Sequence, residues 1–286
     1  MSDDRRAFLR GLVRSAAAQA GALEEARPAP PADPAPQAPS AGLTDADMER
    51  YSRQLVLPQW SERAQLALQA ASVLVVGAGA LGSPVAAYLA GAGVGRLGIV
   101  DSDEVEVSNL HRQFLHFTPD LGVPKAHSAA AKLRFLNPEI VVEPYQAPFA
   151  AAMLDGADLV VDCSDSFATR YEVNAACCAA RLPLVEGGVL GLSGLVMAIR
   201  PGESACYRCA FPEAPPPGAA PSCAEAGVLG PAAGAIGSLQ ALEAMRLLAG
   251  LEGALLDAFL QIDLHDHGYL RVAVSRRADC PDCARL

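Results

Sequence analysis

The sequence has no excess of positive charge. Its 22 Lys and Arg stand against 32 Asp and Glu, a net charge of −10. It therefore lacks the clustered cations that general binding to nucleic acid or to an anionic membrane requires. Any phosphate chemistry must rest on a few local cations. A membrane span is also missing: the uncharged run Ala226 to Leu242 is interrupted by Pro231, Gln240 and several glycines, and falls short of the ~20 apolar residues a bilayer demands. That run fits a buried helix. Nor is an export signal expected. Arg5-Arg6-Ala7-Phe8-Leu9-Arg10 has the look of a twin-arginine start, which needs an apolar stretch behind it. Here Gly11 to Ala22 is broken by Arg14 and Gln19 and followed by Glu24 and Glu25. The segment reads as a short amphipathic helix, and the expected location is cytoplasmic.

What is present is ample for a large core, with 286 residues, 51% hydrophobic and 19% charged. Residues 1–43 stand apart, because Ala26 to Gly42 is mostly Pro and Ala without periodicity, an extended linker. The folded unit is expected over residues 44–286.

Its most informative stretch begins with an apolar strand, Ser72 to Val76, and the turn Gly77-Ala78-Gly79-Ala80-Leu81-Gly82. Strand, G-x-G-x-x-G turn, helix and an acidic residue about twenty positions on, here Asp101, make a nucleotide-binding unit. The glycines let backbone amides approach phosphate, the helix N-terminus favours negative charge, and Asp101 can accept from ribose hydroxyls. Alone this pattern points to a dinucleotide dehydrogenase. Asn109, Arg112 and Lys125 shift the reading, because together they look like a clamp for a triphosphate.

Periodicity continues the alternation. Helices are expected from Thr44 through Tyr51 to Leu57, Ser61–Gln69, Leu81–Ala92, Pro124–Phe135, Phe167–Ala180 and Pro231–Leu248. Strands are expected at Arg96–Val100, Glu139–Tyr145, Asp158–Asp162, Leu182–Glu186 and Gly194–Arg200, with a closing hairpin of Ala258–Leu264 and Tyr269–Ser275. The fold class is α/β: a Rossmann-like, doubly wound, mostly parallel sheet with an antiparallel extension. Ligands in such a sheet bind beyond the carboxyl ends of the strands, where Gly77, Asp101 and Asp162 to Asp165 converge.

The eight cysteines fall into two kinds. Cys206-Tyr207-Arg208-Cys209 and Cys280-Pro281-Asp282-Cys283 are two C-x-x-C pairs, able to supply four thiolates to a structural zinc with no open position. Redox pairs and disulfides are the competing readings, the latter disfavoured in a cytoplasmic protein. Cys163, Cys177 and Cys178 read as small core residues. Cys223 follows the Pro/Ala-rich stretch from Phe211 to Pro221 and precedes a helical run, where thiol pKa values fall; the alternative is a loop thiol without a role.

Assembled, the glycine turn, Asp101, Asn109-Leu110-His111-Arg112-Gln113, Lys125, Asp162-Cys163-Ser164-Asp165 and the two C-x-x-C pairs resemble the ThiF/MoeB/HesA family, bacterial relatives of the ubiquitin-activating enzymes. Arg50-Tyr51-Ser52-Arg53-Gln54 resembles its R-Y-x-R-Q signature, and Ser222-Cys223-Ala224-Glu225-Ala226-Gly227 its crossover-loop stretch. The likeness runs over about residues 44 to 286.

The resemblance implies adenylation of the C-terminal carboxylate of a ubiquitin-like sulfur-carrier protein ending in Gly-Gly, for molybdopterin- or thiamin-type sulfur transfer. It implies that Arg112 and Lys125 hold the phosphates of ATP, that Asn109 orients them, that Asp101 takes the ribose and that Asp165 binds magnesium. It further implies that Arg53 reaches the nucleotide of a neighbouring subunit in a homodimer. If Cys223 joins a sulfur relay, the carrier is held covalently; otherwise an external sulfurtransferase supplies sulfur, since no rhodanese-like segment follows Cys283. Each residue has a plainer alternative. Arg112 could pair with Asp103 or Glu104, Lys125 could be a surface cation, Asp101 could cap a turn, and Asp165 could cap the helix at Phe167. Ser166 stands where the family commonly has Asn, which removes an amide near the adenine edge. An NAD-dependent oxidoreductase and a non-catalytic carrier-binding scaffold are the rival functions.

Overall fold

A computed structural model describes residues 42–216 and 226–286. The expected N-terminal helix, the linker up to Ala41 and Cys223 lie outside the described residues.

Thr44 starts the first helix, α1 (Asp45–Arg50), with a reciprocal cap: its Oγ1 accepts from the Asp47 N–H at 3.1 Å, and the Asp47 carboxylate accepts from the Thr44 N–H at 2.9 Å. The continuous helix read from Thr44 to Leu57 is corrected here. The chain breaks at Tyr51 and resumes as α2 (Ser52–Leu55), because Tyr51 turns into the core and its hydroxyl accepts from Asn137 Nδ2 at 3.1 Å. Ser61 then caps α3 (Glu62–Ala70).

Strands β1 (Ser72–Val76), β2 (Arg96–Val100), β3 (Val141–Tyr145), β4 (Leu159–Asp162) and β5 (Leu184–Leu190) alternate with helices α4 (Gly82–Ala92), α5 (Lys125–Leu136) and α6 (Phe167–Ala180). After β6 (Ser193–Ile199) come the short α7 (Tyr207–Ala210), the long α8 (Gly230–Ala249) and the hairpin β7 (Ala258–Asp263) and β8 (Gly268–Ala273). The eight strands form one sheet in the order β3-β2-β1-β4-β5-β6-β7-β8. Neighbours from β3 to β5 run parallel, and those from β5 to β8 antiparallel. Successive side chains on the strands face opposite sides. Val73, Val75, Leu97 and Ile99 pack beneath α3, α4, α5 and α8, while Leu74, Val76 and Val160 pack with α6 and the cysteine pairs. Each such side chain contributes roughly 1.5–3 kcal/mol of burial.

β5 extends beyond the expected end at Glu186 because β6 pairs with it antiparallel through Leu190. Its glycines are dictated by neighbours: a Cβ at Gly187 would lie 2.1 Å from the Gln240 amide carbon, and one at Gly188 2.6 Å from Arg170 Nη1. β1 sits between β2 and β4, the point at which strand order reverses, so the crevice beyond their carboxyl ends is the binding position of this architecture. Among the described residues no helix is long and apolar enough to cross a membrane.

Candidate active site

At that crevice lies a cavity of about 790 Å³, walled in part by Gly77, Gly79, Asp101, Arg112, Lys125 and Asp165. Residues far apart in the chain thus meet at one opening. Gly77, with φ +98°, turns the chain off β1, and a Cβ there would lie 2.9 Å from the Cys163 carbonyl. Only glycine satisfies both conditions.

Asp101, the residue after β2, braces this turn. One carboxylate oxygen accepts from the Ala78 N–H at 2.8 Å and the other from the Asp103 N–H at 2.9 Å. Burial pushes its carboxyl above the ordinary range, opposed by these two amides and by the charge of Lys125. Each carboxylate oxygen keeps a second lone pair for a hydroxyl in the cavity.

Lys125 opens α5, an electrostatically poor place for a cation, and is buried there. Its Nζ donates to the exposed carboxylate of Asp103 at 2.8 Å. The Asp103 partnership considered for Arg112 is therefore made by Lys125. Arg112 Nη1 instead donates to the Ser108 carbonyl at 2.8 Å and to His111 Nε2 at 2.8 Å. Asp165 is exposed at the end of the loop after β4. The reading of Asp165 as the cap of α6 is corrected: Ser166 holds that position, its Oγ accepting from the Thr169 N–H. Among the described residues the Asp165 carboxylate makes no hydrogen bond or ion pair.

Three other expected residues stand elsewhere. Asn109 is buried, its Oδ1 accepting from the Glu106 N–H at 3.2 Å, and does not line the cavity. Gly82 lies behind the turn, where a Cβ would meet the Gly77 carbonyl at 1.9 Å. Arg53 is exposed on α2 and does not line the cavity.

Beneath the cavity floor is a polar group of which the sequence reading named Asp162 but neither Glu186 nor Arg170. Asp162 and Glu186 sit opposite each other on β4 and β5, both fully buried, with Arg170 of α6 nearly so. Asp162 accepts from the Ser164 N–H at 2.8 Å, while Arg170 Nη2 donates to the Ser164 carbonyl at 2.9 Å. Gln240 Nε2 donates to the Asp162 carbonyl at 2.7 Å. The loop leading to Asp165 is thus gripped at both the N–H and the C=O of one residue, Ser164. Burial, reinforced by the charge of Asp162, pushes Glu186 well above the carboxylate range. One guanidinium cannot neutralise two buried carboxylates, and burial holds both Asp162 and Glu186 above the carboxylate range, Glu186 the further. The available signal was a Glu inside the apolar strand pattern Leu184-Val185-Glu186, where a charge needs a partner.

On the same sheet face, the sulfurs of Cys206, Cys209, Cys280 and Cys283 all lie within 4.8 Å of one another, and all four residues are buried. Separations of 3.8 Å for Cys206–Cys209, 3.6 Å for Cys206–Cys280 and 3.4 Å for Cys209–Cys283 exclude disulfides. They match the roughly 3.8 Å edge of a tetrahedron with metal–sulfur bonds of ~2.3 Å. This group can hold a metal ion, and with every position filled by sulfur it leaves none for a reactant. Cys163, Cys177 and Cys178 are buried, as expected of core residues.

A crevice at a strand-order reversal, edged by two cations and two carboxylates, in a sheet that also carries a four-cysteine knuckle, defines an α/β protein of nucleotide-binding architecture. The sequence pattern of the ThiF family matches residues 51–282, and the chain belongs to that family. It is 47% identical over 249 residues to the sulfur carrier protein adenylyltransferase of Thermus thermophilus, covering 84% of this chain and 92% of that protein. It is 48% identical over 248 residues to the adenylyltransferase and sulfurtransferase MOCS3 of Sus scrofa, covering 85% of this chain. The match spans about half the length of such MOCS3 relatives, 54% in this case. Among solved structures, E. coli MccB with AMPCPP and MccA shares the fold with a TM-score of 0.74 and 22% identity, over 85% of this chain and 75% of that one.

Proposed function

We propose that this protein is an adenylyltransferase that uses ATP to activate the C-terminal carboxylate of a ubiquitin-like sulfur-carrier protein. The observation that carries the reading is the meeting of Asp101, Arg112, Lys125 and Asp165 around one cavity at the strand-order reversal. An NAD-dependent oxidoreductase would leave the last three without work.

A chain-terminal carboxylate, with a pKa near ~3.5, arrives ionised and needs no general base. Its difficulty is approaching a triphosphate of like charge. Arg112 and Lys125 offset that repulsion and follow the charge that develops on the phosphates. The free amides of the glycine turn and the N-terminus of α4 add fixed positive potential. Asp101 orients the ribose, which places the α-phosphorus in line with the incoming oxygen. A carboxylate oxygen–phosphorus bond forms as the bridge to the β-phosphate breaks, giving the acyl-adenylate and pyrophosphate.

The uncommitted Asp165 carboxylate at the cavity edge suits magnesium, which prefers one or two carboxylates with phosphate oxygens and water. Magnesium there would offset phosphate charge. The four thiolates suit zinc, which would hold the chain end in place. Arg53, exposed and not lining its own cavity, fits a homodimer in which it serves the neighbouring nucleotide. Sulfur would come from a separate sulfurtransferase, and Cys223 would matter after adenylation rather than during it.

The test is ATP–pyrophosphate exchange with a panel of carriers ending in Gly-Gly. Arg112→Ala is expected to lower exchange about 100- to 1,000-fold, and Cys223→Ala to leave it intact. No exchange with any carrier, or full exchange by Arg112→Ala, would overturn the reading.

A further inference from the structure

Behind the glycine turn, on the side away from the cavity, a line of buried polar side chains ends on the turn itself. His116 is 2% exposed, Ser128 2% and Asp120 1%. His116 Nε2 lies 2.8 Å from the Ala78 carbonyl oxygen, and its Nδ1 lies 2.9 Å from Ser128 Oγ. A carbonyl only accepts, so Nε2 carries the hydrogen and Nδ1 accepts from the Ser128 hydroxyl. Ser128 Oγ in turn accepts from Lys132 Nζ at 2.7 Å, and Lys132 is paired with Asp120. Asp120 also accepts from the Phe117 N–H at 2.7 Å. The carbonyl fixes the hydrogen on Nε2, and with a neutral ring the remaining directions follow.

Ala78 is therefore held at both ends, its N–H by Asp101 and its C=O by His116. In a trans peptide the C=O and the following N–H point in opposite directions. Fixing the Ala78 oxygen toward His116 aims the Gly79 N–H the other way, and Gly79 is part of the cavity wall. Among the described residues that N–H has no hydrogen-bond partner. Its remaining use is an anion in the cavity.

We propose that His116, backed by Ser128, Lys132 and Asp120, is a positioning residue that sets the Ala78–Gly79 peptide so that the Gly79 N–H meets a nucleotide phosphate. The inference rests on the nucleotide reading of the cavity. Ser128 and Lys132 lie on α5, whose first residue is the phosphate cation Lys125, and His116 follows the Arg112 segment. The line thus ties three separate contributors to the cavity into one rigid frame. Burial lowers the His116 pKa, Lys132 and Lys125 add to that, and Asp120 and the Ala78 carbonyl oppose it. The ring is accordingly neutral, as a donor at one nitrogen and an acceptor at the other require.

The experiment compares His116→Leu, His116→Gln and Ser128→Ala with the unaltered protein. ATP affinity is read by calorimetry, KM and kcat by pyrophosphate exchange, folding by thermal midpoint, and the tautomer by ¹⁵N imidazole NMR. Leucine removes both hydrogen bonds, whereas glutamine keeps an N–H donor near the position of Nε2. His116→Leu is expected to weaken ATP binding about 5- to 30-fold, mainly in KM, and His116→Gln to recover most of it. Ser128→Ala should fall between them, and the NMR should show the Nε2–H form. ATP binding by His116→Leu at full strength, His116→Gln no better than His116→Leu at an unchanged thermal midpoint, or an Nδ1–H ring each overturns the inference alone. An unaltered protein that binds no ATP overturns the nucleotide reading and the inference with it.

Discussion

Two carboxyls and one guanidinium buried together set the behaviour of the ground beneath the cavity. Because burial favours the neutral form of Glu186, an amide of the same shape is expected to replace it with little loss, and Glu186→Gln should stay near the parent in stability and activity. Arg170→Ala is the opposite case, since it strands the Asp162 charge and frees the Ser164 carbonyl; a loss of about 3–5 kcal/mol in denaturant unfolding is expected. The pH dependence has a definite sign. The Glu186 carboxyl is raised above its unfolded value, so the folded state binds more protons between the two values. Stability is then fully present below the unfolded value and declines as pH rises through the folded one. Glu186→Gln should flatten that decline, as read from unfolding midpoints from the ordinary glutamate range upward. An unchanged slope would mean that the carboxyl is ionised.

Among the elements, those whose instructions are local were legible. The limits of β1, β2 and α6 match the pattern of apolar residues and caps in the sequence, because a strand buried on both faces and a capped helix carry their own signals. What stayed hidden was set from afar. The break at Tyr51 depends on Asn137, and the length of β5 depends on β6. The same holds for the site: Asp101, Arg112 and Lys125 could be picked out by motif, whereas Arg170, Glu186 and His116 acquire meaning only once strands and helices distant in sequence are packed together. Gly187 shows how tight that packing is. Gly187→Ala pushes a methyl into the Gln240 amide, at an expected cost of about 1–3 kcal/mol, or roughly 2–12 °C in thermal midpoint. Gly187→Ala combined with Gln240→Ala should recover part of that loss in a double-mutant cycle, and strict additivity would show the two are uncoupled.

Over the whole molecule, the four-cysteine knuckle joins the last residues of the chain to the sheet. Asn174 of α6 accepts from the Tyr207 N–H at 2.9 Å and donates to Asp282 at 2.7 Å, while Arg208 donates to Asp282 at 2.8 Å. Both C-x-x-C pairs are thereby anchored to one helix. Elemental analysis should find one zinc per chain, and chelation should lower the thermal midpoint while Cys280→Ser prevents loading. A chelated protein with unchanged stability would remove the ion from the fold.

Tyr207 follows Cys206 in the first C-x-x-C pair and also forms part of the cavity wall, its ring 5.3 Å from that of Tyr171 and 5.0 Å from that of Phe211. One residue thus belongs both to the cysteine knuckle and to the wall of the cavity. Any coupling through that residue would be reciprocal: a cavity occupant that slowed loss of the metal would itself be held more tightly by the metal-loaded chain.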